Sequence, residues 1–264
     1  MTNTFDTSVK IAASEMHQVI FSNFEHIAEV MHTQSQKRFL WTPSAEPRRL
    51  LNNYLNILWS VHIAKFNELC EGLIESVNRR QFLLYGLIGR SLIEHAGTMR
   101  YYFKQRLQPT IDEAVKTGTV TSQQIHIIIE ELDRFLRSGR FDWNAFLSGN
   151  FDQLSAEQNE DSATQRQVNI LTCMQKWAKE MPSVMVLYDL FCDLVHPNIG
   201  STLLVMQTWN NGAGFGGQDG QKVGQDIMVR TLAGLVGLFN DIQKYLNAML
   251  LLQMPIEDDP KYAR

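Results

Sequence analysis

The sequence is poor in cysteine and in uninterrupted apolar runs, and each shortage argues against a class of protein. Its three cysteines, Cys70, Cys173 and Cys192, lie far apart and form no CxxC pair. We therefore expect neither a disulfide framework nor a zinc cage, and a reducing cytoplasm suits the chain. Charge interrupts every apolar stretch within about 18 residues, and the first ten residues do not resemble a signal peptide, so no membrane span is expected.

A basic excess is also missing. The formal net charge is -4, which argues against a domain-wide electrostatic surface for nucleic acid but is compatible with a local basic groove. Hydrophobic residues make up 44% of the 264 residues and charged residues 20%, as in ordinary globular proteins. We expect residues 1–264 to form a single domain.

Apolar residues recur at three- and four-residue steps along most of the chain, which is typical of amphipathic helices. This periodicity predicts helices over residues 8–36, 47–77, 79–107, 121–139, 166–181, 183–195 and 225–253. Polar or glycine-rich segments at 148–165 and 210–224 are predicted to be flexible connections, and 254–264 a frayed tail. Residues 202–209 fit a short helix or an extended piece equally well. The fold class is therefore all-α, a single bundle of about six to seven helices, several of them long.

The third predicted helix carries an unusual pair of charges. Between Gln81 and Met99 its only formal charges are Arg90 and Glu94, and apolar side chains cover nearly every other direction. Such a helix is expected to be buried, so the two charges must pair with each other, with another helix or with a bound anion. Gly86 and Gly97 leave room for a ligand or another helix beside them. Both an ion pair that joins helices and a site for an anionic ligand remain open.

Basic residues flank the apolar part of this helix. They fit either solvated helix ends or a surface that steers phosphates towards Arg90. These residues are Arg79, Arg80, Arg100, Lys104 and Arg106.

A second polar pattern lies in the stretch YDLFCDLVHPN, which begins at Tyr188. Asp189, Asp193 and His196 form a stripe opposite the apolar face of this helix. Pro197 disfavours helical geometry at His196, which places the imidazole at the helix C-terminus, where the dipole and Asp193 favour its protonated form. The stripe fits a solvated helix face, and it also fits a histidine that acts as an acid or binds phosphate.

The motif RSLIEH at 90–95 and the motif YDLFCDLVHP at 188–197 resemble bacterial helical families related to the higher-eukaryote-and-prokaryote nucleotide-binding (HEPN) superfamily. The resemblance implies an all-helical bundle that is often dimeric. In catalytic members an arginine and a histidine cleave RNA without metal: the histidine handles the 2′-hydroxyl proton and the arginine stabilises the phosphate. Ser91 and Cys192 depart from the family's pattern.

These motifs predict a polar pocket in which Arg90, Glu94 and His196 are catalytic. Further substrate-binding side chains are predicted at His95, Tyr188, Asp189, Asp193 and Asn198. By the resemblance, the chain is expected to bind a phosphate-bearing ligand or RNA and to act as a metal-independent ribonuclease, as a toxin or antiphage defence effector. We expect no cofactor. The expected partners are RNA or a nucleotide, a second copy of the chain, or a protein of a defence or toxin–antitoxin system.

Two other functions remain open on sequence grounds. The first is a non-catalytic helical adaptor whose Arg-Glu-His cluster only stabilises the bundle. The second is a di-iron carboxylate protein, because Glu29–His32 and Asp193–His196 both have a carboxylate-x-x-His spacing, with Glu68 and Glu94 as further acids. The stretch GAGFGG at 212–217 matches a dinucleotide-binding pattern in letters only, because no alternating strands and helices surround it.

Overall fold

The computed structural model describes residues 4–11, 15–39, 43–118, 120–137, 146–150, 168–209, 212–215 and 218–253. Helices account for most of them: α1 Thr7–Ile11, α2 Glu15–Ser35, α3 Pro47–Asn78, α4 Phe82–Tyr101, α5 Gln108–Thr117, α6 Ser122–Arg137, α7 Ile170–Ala178, α8 Ser183–Val195, α9 Ile199–Val205 and α10 Gln218–Leu251. Two short strands, β1 Met206–Trp209 and β2 Gly212–Phe215, pair as an antiparallel hairpin.

The prediction of an all-α bundle is confirmed, but the predicted number of helices was too low. A π-helical turn, Tyr102–Leu107, joins α4 to α5 without a break, and with 82–117 counted as one helix the described residues contain nine. The helix predicted over 8–36 covers both α1 and α2, and α9 was not predicted as an element, because seven residues give too few repeats for periodicity to show.

Helix α4 is the centre of the bundle. It packs against α3, α7, α8 and α10, and Leu92, Ile93 and Met99 in its second half are almost completely buried. Its first half is less enclosed than its composition predicted, because Leu83, Leu84 and Leu87 are exposed by 38–46%. In the described part of the chain, no helix combines the length and apolar character needed to cross a lipid bilayer.

Glycines on α4 let two neighbouring helices approach closely. A Cβ atom at Gly89 would overlap the ring of Phe191 in α8, and one at Gly86 would lie 3.1 Å from Cβ of Leu194. Further along, a Cβ at Gly97 would overlap the end of the Met174 side chain in α7. The space predicted beside Gly86 and Gly97 is therefore filled by other helices.

The chain does not leave the helical path at Pro109, where the sequence predicted the third helix to end. Proline has no N–H to donate to the residue four positions earlier, and its ring crowds the carbonyl there. The helix accommodates this by widening: the N–H of Gln108 bonds to the carbonyl of Phe103, five residues back. The aromatic ring of Tyr102 in this turn stacks on Phe135 of α6 at a centroid distance of 4.1 Å.

The predicted loop at 210–224 is wrong where the structure describes it. Residues 212–215 form β2 and α10 begins at Gln218, so Gly224 lies inside a helix. A Cβ at Gly224 would overlap the Phe82 ring, so this glycine serves helix packing rather than flexibility. The ambiguous segment 202–209 is helical to Val205 and extended from Met206. Residues 151–167, most of the other predicted connection, and the tail 254–264 lie outside the described residues.

Replacement of a buried glycine and of an exposed glycine by alanine tests the close contact between α4 and α8. We expect Gly89→Ala to destabilise the protein by about 1–3 kcal/mol through overpacking against Phe191. Gly237→Ala is the matched control: this glycine also lies within a helix, α10, but a Cβ there would meet nothing within 4 Å. We expect the control to stabilise by up to about 1 kcal/mol through helix propensity alone. Urea unfolding measures both, and equal stabilisation by the two changes contradicts the packing.

Candidate functional site

Arg90 and Glu94 form an ion pair one turn apart on α4. Nε of Arg90 donates a hydrogen bond to Oε1 of Glu94 at 2.8 Å, and this bond is the main cause that raises the pKa of Arg90. The side chains are 28% and 29% exposed, so the sequence overestimated the burial of Arg90. Because both charges lie on one helix, this pair does not join helices, and it remains accessible to a ligand.

A cavity of about 480 Å³ opens beside this pair. It lies between α3, α4, α6 and the residues that lead into α7. Among the side chains that line it, the polar ones used below are His62, Lys65, Arg90, Glu94 and His95. The volume is within the usual range of small-molecule sites. The cavity therefore collects two cations, one acid and two imidazoles in one place.

His95 has a fixed tautomer in this cavity. Its Nδ1 lies 2.8 Å from the carbonyl oxygen of Ser91, and a carbonyl can only accept a hydrogen bond, so Nδ1 carries the proton. Nε2 is then left with its lone pair. Burial is the main cause that lowers the pKa of His95, which favours the neutral ring at pH 7. A neutral imidazole that lines the same cavity as an arginine can take a proton from a bound hydroxyl group.

His62 repeats this arrangement at a more buried position on α3. Its Nδ1 lies 2.8 Å from the carbonyl oxygen of Leu58, and the residue is only 6% exposed. Burial lowers the pKa of His62 to about 4, so its Nε2 is also an acceptor at neutral pH. A single histidine in a helix is most often an ordinary packed residue, so the sequence carried no signal for His62. Its spacing from Lys65 places the two on one face of α3, but only the packing of α3 against α4 turns that face into a cavity wall.

His196 lies apart from this cavity. It follows the last residue of α8 in an extended conformation, as Pro197 predicted, and its side chain is exposed. Helix α8 runs antiparallel to α4, because Phe191 meets Gly89 and Leu194 meets Gly86. His196 therefore lies level with residue 84, about 9 Å along the axis from Arg90 at 1.5 Å per residue. Among the lining residues of this cavity, His95 accompanies Arg90 and Glu94 and His196 does not, so the predicted meeting of Arg90 and Glu94 with His196 stays a prediction.

The other predicted substrate-binding residues divide into two groups. Tyr188 is buried on α8, near enough to Arg90 and Glu94 for their charges to influence its pKa, which burial raises to about 12. Asp189 and Asp193 are exposed, as expected for a solvated stripe. Nδ2 of Asn198 donates to Asp193, and Oδ1 of Asn198 accepts from the first N–H groups of α9. Asp193 and Asn198 thus build the turn between α8 and α9 and do not line the cavity.

Among the residues that the structure describes, the buried arginine is Arg100, which the sequence interpretation placed among the flanking basic residues. Arg100 is 3% exposed, and its Nη2 lies 2.7 Å from Oε2 of Glu180. Its Nε lies 3.5 Å from Asp241 of α10, and its guanidinium lies 5.6 Å from the ring centre of Trp177 in α7. Arg100 therefore makes the ion pair between helices that the sequence assigned to Arg90 as one alternative.

The structure gives no support to the di-iron alternative. His32 pairs with Glu71 at 3.2 Å, and Asp193 is engaged by Asn198. Within the described ranges, no three histidine, cysteine or acidic side chains converge so that they could hold a metal ion.

Comparisons with protein-family models, with curated proteins and with solved structures find no match to this chain. The resemblance to HEPN-related families therefore depends on the two motifs alone.

Replacement of the two arginines distinguishes their roles in stability. Arg100→Met removes one partner of a buried ion cluster, a change that typically costs about 3–5 kcal/mol, and we expect the lower end because Glu180 and Asp241 are partly exposed. Arg90→Met breaks a half-exposed pair within one helix and should cost about 0.5 kcal/mol. Chemical unfolding measures both values. Equal losses would show that Arg90 also holds the helices together.

The buried imidazole of His62 predicts a loss of stability in mild acid. The pKa of His62 is about 4 in the folded protein and 6.5 ordinarily, so the unfolded chain binds more protons between these values. The free energy of unfolding should therefore fall as the pH drops from about 6.5 towards 4, by up to about 1.4 kcal/mol per pH unit for this group.

The His62→Gln variant checks this expectation, because it should flatten the fall measured by urea unfolding at several pH values. His126→Gln is the control: Nδ1 of His126 makes the same bond to the carbonyl of Ser122, but the residue is exposed. A slope that is unchanged in His62→Gln contradicts the assignment.

Proposed function

We propose that the cavity beside Arg90 binds a phosphate-bearing ligand, and that this ligand is RNA or a nucleotide. One observation carries the proposal: Lys65, Arg90 and the neutral imidazole of His95 line the same cavity. Glu94 binds Nε of Arg90 and so fixes the plane of the guanidinium, whose Nη atoms suit the paired oxygens of a phosphate. Lys65 adds a second positive charge without a planar requirement.

The same geometry supports metal-independent cleavage of RNA, as the HEPN resemblance implies. Nε2 of His95 takes the proton of the ribose 2′-hydroxyl, and the 2′-oxygen attacks the adjacent phosphorus. The bond to the 5′-oxygen breaks, that oxygen takes a proton from solvent, and a 2′,3′-cyclic phosphate remains. Arg90 stabilises the extra negative charge on the phosphate oxygens as the new bond forms. In this proposal His95 takes the role that the sequence assigned to His196.

The biological setting belongs to the same proposal. The free thiols Cys70, Cys173 and Cys192 suit a reducing compartment, which supports a cytoplasmic location. A ribonuclease held inactive by a partner protein, in a toxin–antitoxin or antiphage defence system, is the role that follows from the resemblance. Relief of growth arrest by His95→Gln on expression would support this role.

A non-catalytic adaptor is the second candidate. The observation that favours it is the group of exposed leucines on α4, Leu83, Leu84 and Leu87, which could contact another protein or a second copy of the chain. If the protein is an adaptor, the wild-type protein cleaves no RNA. Replacement of His95 or Arg90 then changes nothing in a cleavage assay.

Cleavage assays test the proposal. The purified protein is incubated with mixed RNA in the presence of a metal chelator, and the new ends are analysed for cyclic phosphate. We expect the rate to fall by about 100-fold or more in His95→Gln and in Arg90→Met, as for the loss of a general base or of a charge that stabilises the transition state. His126→Gln, an exposed histidine on α6, should keep the full rate.

His196→Gln separates the two candidate bases. If His196→Gln removes cleavage while His95→Gln does not, the catalytic role that the sequence motifs predict for His196 is correct, and the cavity is not the catalytic site. Absence of cleavage by the wild-type protein, together with absence of nucleotide binding, contradicts the proposed function as a whole.

A further inference from the structure

His62 is a polar side chain that the cleavage chemistry does not use, yet it is 94% buried at the wall of the cavity. Its Nδ1–H is engaged by the carbonyl of Leu58, which leaves Nε2 as an acceptor. Within the described residues, the hydrogen bonds of His62 include no protein donor to Nε2. In this part of the chain, Nε2 is not among the fully enclosed polar atoms that lack a partner, so its lone pair is accessible, and a group bound in the cavity can donate a hydrogen bond to it.

The surroundings of His62 describe the part of a ligand that would reach it. Leu58, Val61 and Leu136 line the cavity beside it, and the Phe135 ring lies 5.4 Å from the imidazole between ring centres. The lining next to His62 is apolar and aromatic, with one acceptor. It fits a flat, weakly polar group that carries a hydrogen-bond donor at its edge.

Charged side chains also line the cavity. Lys65 is exposed and Arg90 is 28% exposed, whereas His62 is 6% exposed, so the cavity passes from a buried acceptor to cations near solvent. A ligand that satisfies both sets of side chains carries an aromatic group with a hydrogen-bond donor, and an anionic group. Nucleotides whose bases bear an exocyclic amino group have this arrangement.

We infer that His62 selects the ligand: its Nε2 accepts a hydrogen bond from the exocyclic amino group of a nucleotide base, while the phosphate lies at Lys65 and Arg90. This inference rests on the proposed function and specifies its ligand class. A base with a carbonyl oxygen at that position would present an acceptor to an acceptor, and no hydrogen bond would form. His62 is thus a specificity-determining residue, distinct from His95, which acts on the ribose.

Matched nucleotides test the inference by binding. Adenosine 5′-monophosphate and purine riboside 5′-monophosphate differ only in the 6-amino group, and both keep the phosphate. We expect the wild-type protein to bind the analogue at least about tenfold more weakly, because His62 then lacks its donor. His62→Phe keeps an aromatic ring and removes the acceptor, so it should bind the two compounds equally. Circular dichroism checks the fold of the variant.

The outcomes separate the inference from the proposal on which it rests. If neither compound binds the wild-type protein, the proposed nucleotide site fails. If both bind equally well, the cavity takes nucleotides but His62 does not select the base, so only the inference is overturned. Discrimination that persists in folded His62→Phe also overturns it, because another residue then recognises the amino group.

A second measurement serves if His62→Phe does not fold. In wild-type protein labelled with ¹⁵N at histidine, the Nε2 resonance of His62 should shift on addition of adenosine 5′-monophosphate in the direction expected for a newly accepted hydrogen bond. It should shift much less with the purine riboside compound. Equal shifts with both compounds contradict the inference.

Discussion

The close approach of α7 and α8 to the central helix α4 is the constraint on which the rest of the structure depends. Gly86 and Gly89 admit Leu194 and the Phe191 ring, and Gly97 admits Met174. Larger residues would hold these helices apart, because protein interiors do not compress to absorb an added methyl group. The contacts also fix α8 antiparallel to α4. That direction places Tyr188 beside the Arg90 pair and carries His196 away from it.

The two arginines of α4 show that a cation can serve either stability or ligand binding, and that its neighbours in space decide which. Arg100 is enclosed by Trp177 and by acids from outside its own helix, so it holds three parts of the bundle together. Arg90 finds its acid one turn away on the same helix and remains partly exposed. A pair closed within one helix contributes little to stability. A ligand can therefore engage Arg90 at little cost in the stability of the fold.

Local sequence patterns predicted the helices but not the partners of the side chains. The boundaries of α3 and α8 follow from apolar periodicity and from proline at one end of each, and the structure places them within one residue of the prediction. The predicted helix end at Pro109 was wrong because a π-helical turn can accommodate a proline. The predicted loop at Gly224 was wrong because a glycine inside a helix can allow close packing. The pairing of Arg90 with Glu94 followed from their spacing. The role of His62 and the burial of Arg100 depend on which helices pack together, and one sequence does not carry that information.

Two neutral imidazoles, His62 and His95, that present lone pairs to a ligand are the basis of the proposed site. The most direct test is the tautomeric state of His62 and His95 in the free protein at neutral pH, measured by two-bond ¹H–¹⁵N correlation in histidine-labelled material. Both rings should carry the proton on Nδ1 and none on Nε2. A proton on Nε2 of either ring, or a doubly protonated ring, would contradict the account of the site.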